Sequence, residues 1–176
     1  MDIQFCFEAH DGKTIPYYKF TYKYPFTKVL KTRNKRYKRE YVLEEGMYLP
    51  EYIAKETTRQ FDFNSNYVVF DKVMFVIVHG FAECKAIRDL DNYTYKPFID
   101  TIRKLKVIDD DTWEESSITN IGVETSEELI DLYVVPYQYY IEFLKIELDH
   151  LFYKKTKIQS VRDKLERERI ALEFFE

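Results

Sequence analysis

Six consecutive apolar residues, Val73-Met74-Phe75-Val76-Ile77-Val78, constrain this chain more than any other stretch. A run of that length, rich in β-branched and aromatic side chains, reads as a buried strand. The segment beyond it is charged. The basic residues Lys85 and Arg88 lead into Asp89-Leu90-Asp91-Asn92. In extended backbone, residues two apart share a face, so Asp89 and Asp91 can present their carboxylates side by side. Two carboxylates held together repel unless a cation or a proton lies between them. A predicted helix, Thr94–Leu105, comes next and ends before a second acidic cluster, Asp109-Asp110-Asp111. Acids from a strand end and from a loop beyond the next helix can meet at one point in space. A hard divalent cation, which takes oxygen ligands, suits such a meeting point.

Within that helix Phe98, Ile102 and Leu105 recur at helical spacing and are expected to face the core, leaving Asp100, Arg103 and Lys104 outside the stripe. Pro97 complicates the start, because a proline beyond the first turn removes a hydrogen bond and kinks the chain. Either the helix begins later than Asn92, near Thr94 as its cap, or its first turn is bulged.

This acidic stretch resembles the RusA family of Holliday-junction resolvases. The family pattern is D-x-D-N, a lysine on the following helix, an aspartate near its middle, and a closing D-D. Here those are Asp89-Leu90-Asp91-Asn92, Lys96, Asp100 and Asp110-Asp111. Counted from Asp91, Lys96 and Asp100 fall one residue late, whereas Asp110 and Asp111 return to register. The resemblance spans roughly residues 23–136 and is specific over 88–111.

The resemblance implies an α+β fold: a mixed β-sheet of about four to six strands with helices packed on one face. It also implies a magnesium- or manganese-dependent endodeoxyribonuclease that acts as a homodimer on branched DNA. Asp89, Asp91 and Asp111 would be ligands, with Asp110 the rival for the third place. Lys96 would neutralise charge building on the phosphate, and Asp100 is either a solvated helix acid or a support to the metal site. A carboxylate-held metal ion can supply both an activated water and stabilisation of the leaving oxygen.

Charge distribution bears on the partner. The chain of 176 residues has a net charge of −4. Yet Lys28, Lys31, Arg33, Lys35, Arg36, Lys38 and Arg39 fall within twelve residues free of acid, whereas Val107 to Phe143 carries acids and no lysine or arginine. Separation of sign on this scale suits a phosphate-binding protein with a metal site, and equally an acidic protein-binding surface. The basic run is expected to contact DNA phosphates together with Arg88, and Tyr37 within it could stack on an exposed base.

The length suits one domain with a substantial core. Residues 1–136 are expected to form the RusA-like domain, and 137–176 a C-terminal helical extension packed on it. The extension divides into an aromatic-rich helix from Tyr137 and a second helix, Thr156 to Phe175, whose narrow apolar seam is the best candidate dimer surface. Further strands are expected at Ile3–Phe7, Tyr17–Tyr24, Ser117–Val123 and Leu129–Val135, the last two paired, and a helix from Pro50. Residues 67–78 read as a hairpin or as one broken strand, with Gly80 as a bulge. The 16 tyrosines and 14 phenylalanines against 4 glycines point to buried ring area with polar tips.

Cys6 and Cys84 show neither metal nor disulfide spacing, so a reducing cytoplasm is the expected compartment. His10, His79 and His150 are far apart and read as structural or incidental rather than as zinc ligands. No apolar run approaches the length of a membrane span. The rival to the nuclease reading is a non-catalytic protein on the same scaffold, a nucleic-acid- or protein-binding regulator carried on a mobile element. The displaced lysine, the negative net charge and the C-terminal extension favour it.

Overall fold

The computed structural model describes residues 5–26, 43, 46–82, 90 and 93–152. Among the described residues, five strands occur in chain order: β1 (Phe5–Glu8), β2 (Thr14–Lys23), β3 (Val73–Ala82), β4 (Ser116–Thr125) and β5 (Leu129–Pro136). Three α-helices of the described residues accompany them: α1 (Leu49–Gln60), α2 (Lys96–Lys104) and α3 (Tyr140–Glu147). One mixed sheet runs β1-β2-β5-β3-β4, parallel only between β3 and β4. The fold is α+β, as expected. No helix among the described residues is long and apolar enough to cross a membrane.

β4 and β5 are both strands, but they do not pair with each other as expected. β3 lies between them, in register with β4 from Val73↔Ser116 to Ala82↔Thr125 and with β5 from Val73↔Pro136 to Gly80↔Leu129. The physical reason lies in side-chain character. The first eight residues of β3 are buried, which only an interior strand permits, whereas β4 alternates exposed and half-buried positions as an edge strand does. Residues 67–70 form no second strand; Phe70 makes a single parallel bridge to Ile108.

The two faces of β3 feed two cores. Val73, Phe75 and Ile77 pack with Ile53 of α1 and with Phe98, Ile99 and Ile102 of α2. Met74, Val76 and Val78 pack on the opposite face with Phe7, Tyr17 and Phe143 of α3. So α1 and α2 share one face, as expected, and α3 from the C-terminal stretch covers the other. That stretch is shorter in helix than its sequence suggests: a 3-10 turn at Tyr137–Tyr139, α3, then a second 3-10 turn at Asp149–Leu151. The predicted helix Thr156 to Phe175 lies outside the described residues.

Buried tyrosines keep their hydroxyls paired. Tyr22 is fully buried and its Oη lies 2.8 Å from Thr57 Oγ1. Tyr18 donates to the Val68 carbonyl at 2.7 Å and accepts from the Val68 amide at 2.9 Å. Burial pushes the Tyr18 phenol up to about 12. Pairing removes most of the cost of burying such a group, and the ring area is left as net stabilisation.

Gly80 is not a bulge, since the register of β3 runs through it unbroken. It is needed for close approach instead. A Cβ there would lie 2.7 Å from Thr125 Oγ1, 2.9 Å from Thr125 Cγ2 and 3.1 Å from Leu129 Cγ. Thr125 is held in place by donating to the Glu127 carbonyl at 2.7 Å. We expect Gly80→Ala to cost about 1–3 kcal/mol by overpacking, read as a lower midpoint in urea. Adding Thr125→Ala should recover much of the loss; an unaltered midpoint in the single variant would contradict the steric account.

Candidate active site

Helix α2 begins at Lys96, and Tyr95 is its N-terminal cap residue without a side-chain capping bond. Of the two sequence alternatives, the later start is the one adopted, but later than Thr94. Pro97 therefore sits in the first turn, where its missing N–H costs no helical hydrogen bond, and no kink is needed. Phe98 and Ile102 are fully buried, and Leu105 packs partly buried against the same core. Lys96, Asp100 and Arg103 succeed one another at spacings of four and three, so they share the outer face.

The chain reverses just beyond the helix. Lys106 adopts the left-handed conformation, φ 61°, with its amide donating to the Arg103 carbonyl. Val107 and Ile108 are fully buried, and the Phe70 amide donates to the Val107 carbonyl at 2.9 Å. This anchor returns the closing acids toward the outer face of α2.

There the charges meet. Lys96 Nζ lies 3.0 Å from Asp100 Oδ1 and 3.3 Å from Asp111 Oδ2. Arg103 Nη1 lies 3.4 Å from Asp110 Oδ1 and 3.6 Å from Asp111 Oδ1. The Asp111 amide donates to Asp110 Oδ1 at 2.8 Å, which holds the Asp110 carboxylate against the backbone of the next residue. That same bond, with help from Arg103, holds the Asp110 carboxyl below its ordinary range. Hydrogen bonding to Asp100, then to Asp111, raises the Lys96 ammonium above its ordinary value. Lys96 remains 66% exposed, so it is presented to solvent and to any ligand rather than buried. Beside it, Pro50 of α1 and the outer face of α2 (Lys96, Asp100, Lys104) border a cleft of about 260 Å³.

Three carboxylates (Asp100, Asp110, Asp111) face two cations (Lys96, Arg103), 3 − 2, so one negative charge is left over. Its sign and its hard oxygen donors suit a divalent cation. Among the described residues, however, no three His, Cys, Asp or Glu side chains gather as a metal site. The other expected ligands, Asp89 and Asp91, lie outside the described residues, as do Arg88 and the basic run Lys28, Lys31, Arg33, Lys35, Arg36, Lys38 and Arg39. Asp109 is exposed and takes no part in these ion pairs.

Between the two predicted acidic ligands, Leu90 is described. A Cβ on Gly122 would lie 3.4 Å from Leu90 Cδ2 and 3.4 Å from Phe81 Cε2. Gly122 is in register with His79, so Leu90 rests on the same side of the sheet as α2. The bare glycine leaves room for this anchor of the acidic segment.

By sequence, Arg103 has no part in the charge cluster, and His79 reads as structural or incidental. Arg103 bridges both closing acids, and its spacing of seven from Lys96, two helical turns, is the signal that would have found it. His79 and Tyr95 form a buried pair across 16 residues, which no local pattern reveals. No family model and no curated protein matches the chain.

Proposed function

We propose that the protein is a divalent-metal-dependent endonuclease acting on branched DNA. One observation carries the reading: Lys96 and the closing acid Asp111, fifteen residues apart, meet at 3.3 Å on the side of the sheet where Leu90, the residue between Asp89 and Asp91 in sequence, rests. With Asp89 and Asp91 brought to the same cluster, the surplus negative charge would favour a bound cation. Asp89, Asp91 and Asp111 would hold magnesium or manganese, with Asp110 as the rival third ligand. When bound, the metal supplies an activated water and stabilises the leaving oxygen. Lys96, 66% exposed, would meet the charge that builds on the phosphate. Arg103 helps hold the Asp110 carboxyl below its ordinary range and orients both closing acids. A homodimer would present two such sites to opposed strands.

The test is a titration of magnesium and manganese with a four-way junction, a flap and a linear duplex of matched length. Metal-dependent cuts in the branched substrates, absent from the linear one, are expected. No cleavage across both titrations would overturn the enzyme reading.

The second reading, a non-catalytic binding protein on this scaffold, is favoured by one feature. Lys96 and Arg103 already partner the closing acids within the chain, and this lowers their need for a metal. Calorimetry of magnesium addition separates the two readings, since the binding protein would take up none at this site.

The basic run carries a separate expectation. Replacing Arg33, Lys35, Arg36 and Lys38 together by alanine should weaken DNA binding about equally at every sequence. The slope of log affinity against log salt should flatten by about 0.9 for each phosphate no longer neutralised, because cations of this kind read no base edges. Anisotropy titrations at several salt concentrations measure this. An unchanged slope would reassign the run to a solvated loop.

A further inference from the structure

His79 is the one polar side chain on a strand face that otherwise buries valine, phenylalanine and isoleucine. It is 1% exposed. Phe81 stacks on its ring at 4.0 Å between centroids, and Tyr93 and Tyr95 meet it edge-on at 5.2 and 5.9 Å. An apolar ring would fill that space without the cost of burying an imidazole. What His79 adds is hydrogen bonding, and its two nitrogens face different elements. Nδ1 lies 2.9 Å from Tyr95 Oη. Nε2 is buried without a hydrogen-bond partner among the described residues, with Glu128 Oε1, from the turn between β4 and β5, 3.7 Å away.

The chemistry assigns the protons. A carboxylate on the Nε2 side favours the tautomer with hydrogen at Nε2, which leaves Nδ1 as the acceptor. Burial raises the Tyr95 phenol above its ordinary value, so it stays protonated and donates to Nδ1. Tyr95 is also the cap residue of α2, yet its side chain makes no bond to its own helix. It reaches into the sheet instead, and the next residue is Lys96.

We propose that His79 is a positioning residue for the candidate active site: through Tyr95 it ties the start of α2 to β3 and so sets where the Lys96 ammonium stands. The α2 core residues hold the helix against the sheet, and the directed bond at its cap adds an angular preference that apolar contacts lack. The part of the inference that concerns cleavage rests on the nuclease reading; the tether itself does not.

Three variants of the full chain test it. His79→Phe keeps the ring area and removes both nitrogens. Tyr95→Phe removes only the hydroxyl and keeps the buried ring, so it decides the matter even where His79→Phe fails to fold. The third is the double variant. The first readout is the NMR signal of the Lys96 ε-methylene, assigned by its loss in Lys96→Met. We expect it to shift alike in both single variants and no further in the double. The second is cleavage of a four-way junction with magnesium. There kcat should fall by about 10- to 100-fold in each single variant, the loss typical of a misplaced catalytic group. Neither change should lower kcat further in a Lys96→Met background.

Lowered thermal midpoints with an unmoved Lys96 signal and unmoved kcat would make the pair merely structural and overturn the proposal. So would Tyr95→Phe without effect. Further losses in the Lys96→Met background would overturn the route through Lys96. If the wild type cuts no DNA, the nuclease reading falls, and the Lys96 signal alone supports or overturns the tether.

Discussion

Asp111→Asn is expected to remove metal-dependent cleavage of branched DNA while leaving the fold intact. Asp111 is the acid that both cations share, at 3.3 Å from Lys96 and 3.6 Å from Arg103. The amide keeps the shape and loses the charge, so neither a metal nor the two bases retain their partner. Loss of an outer-shell partner commonly costs about 10- to 100-fold, and loss of a ligand should exceed that. Stability should change little. The side chain is about a fifth exposed and its partners reach solvent, and surface ion pairs are worth about 0–1 kcal/mol. Single-turnover cleavage and a thermal melt of the same sample check both halves. Full activity in Asp111→Asn would exclude it as a ligand and pass the third place to Asp110. Asp91→Asn is expected to abolish cleavage in the same way.

The largest effect on stability is expected from Phe98→Ala. Phe98 is fully buried where α2 meets α1 and the sheet; its ring meets Tyr22 edge-on at 5.0 Å and Phe26 at 5.6 Å. Truncating a buried phenylalanine typically costs about 3–5 kcal/mol, because a cavity is left in addition to the lost transfer energy. For a chain of this size each kcal/mol moves the midpoint by about 2–4 °C, so a fall of about 6–20 °C is expected. Ile141→Ala, at a side chain 56% exposed, is the control and should stay within about 0.5 kcal/mol. A small loss at Phe98 would show that the neighbouring rings collapse into the space. A loss of binding or cleavage beyond that of stability would show that α2 has moved, and Lys96 with it.

Much of this arrangement is local and therefore legible in the sequence. The apolar run 73–78 specifies a buried strand by composition alone. The stripe Phe98–Ile102 specifies which side of α2 faces the core, because side chains three to four apart must share a side. Tyrosine content signals buried rings with paired tips, and the acids on either side of Pro97 mark where charge is concentrated. The start of α2 was the least legible boundary: Thr94 offered a good cap, but Tyr95 comes directly after it, and its ring is drawn into the core instead.

Pairing across the sheet was decided only by tertiary structure. Nothing within β4 and β5 says that β3 lies between them, because β-strand partners are chosen by which strand can bury both faces, a comparison among segments distant in sequence. Gly80 shows the same limit. As one residue in a strand it reads as a bulge; its real constraint is the Thr125 side chain, 45 positions away. The charge cluster is intermediate. Lys96, Asp100 and Arg103 share a face by helical spacing, but the return of Asp110 and Asp111 depends on Lys106 reversing the chain and on Ile108 being pinned beside Phe70. The His79–Tyr95 bond lay beyond sequence reading altogether: a hydrogen bond between two buried side chains exists only once strand and helix have packed, and packing is a property of the whole core.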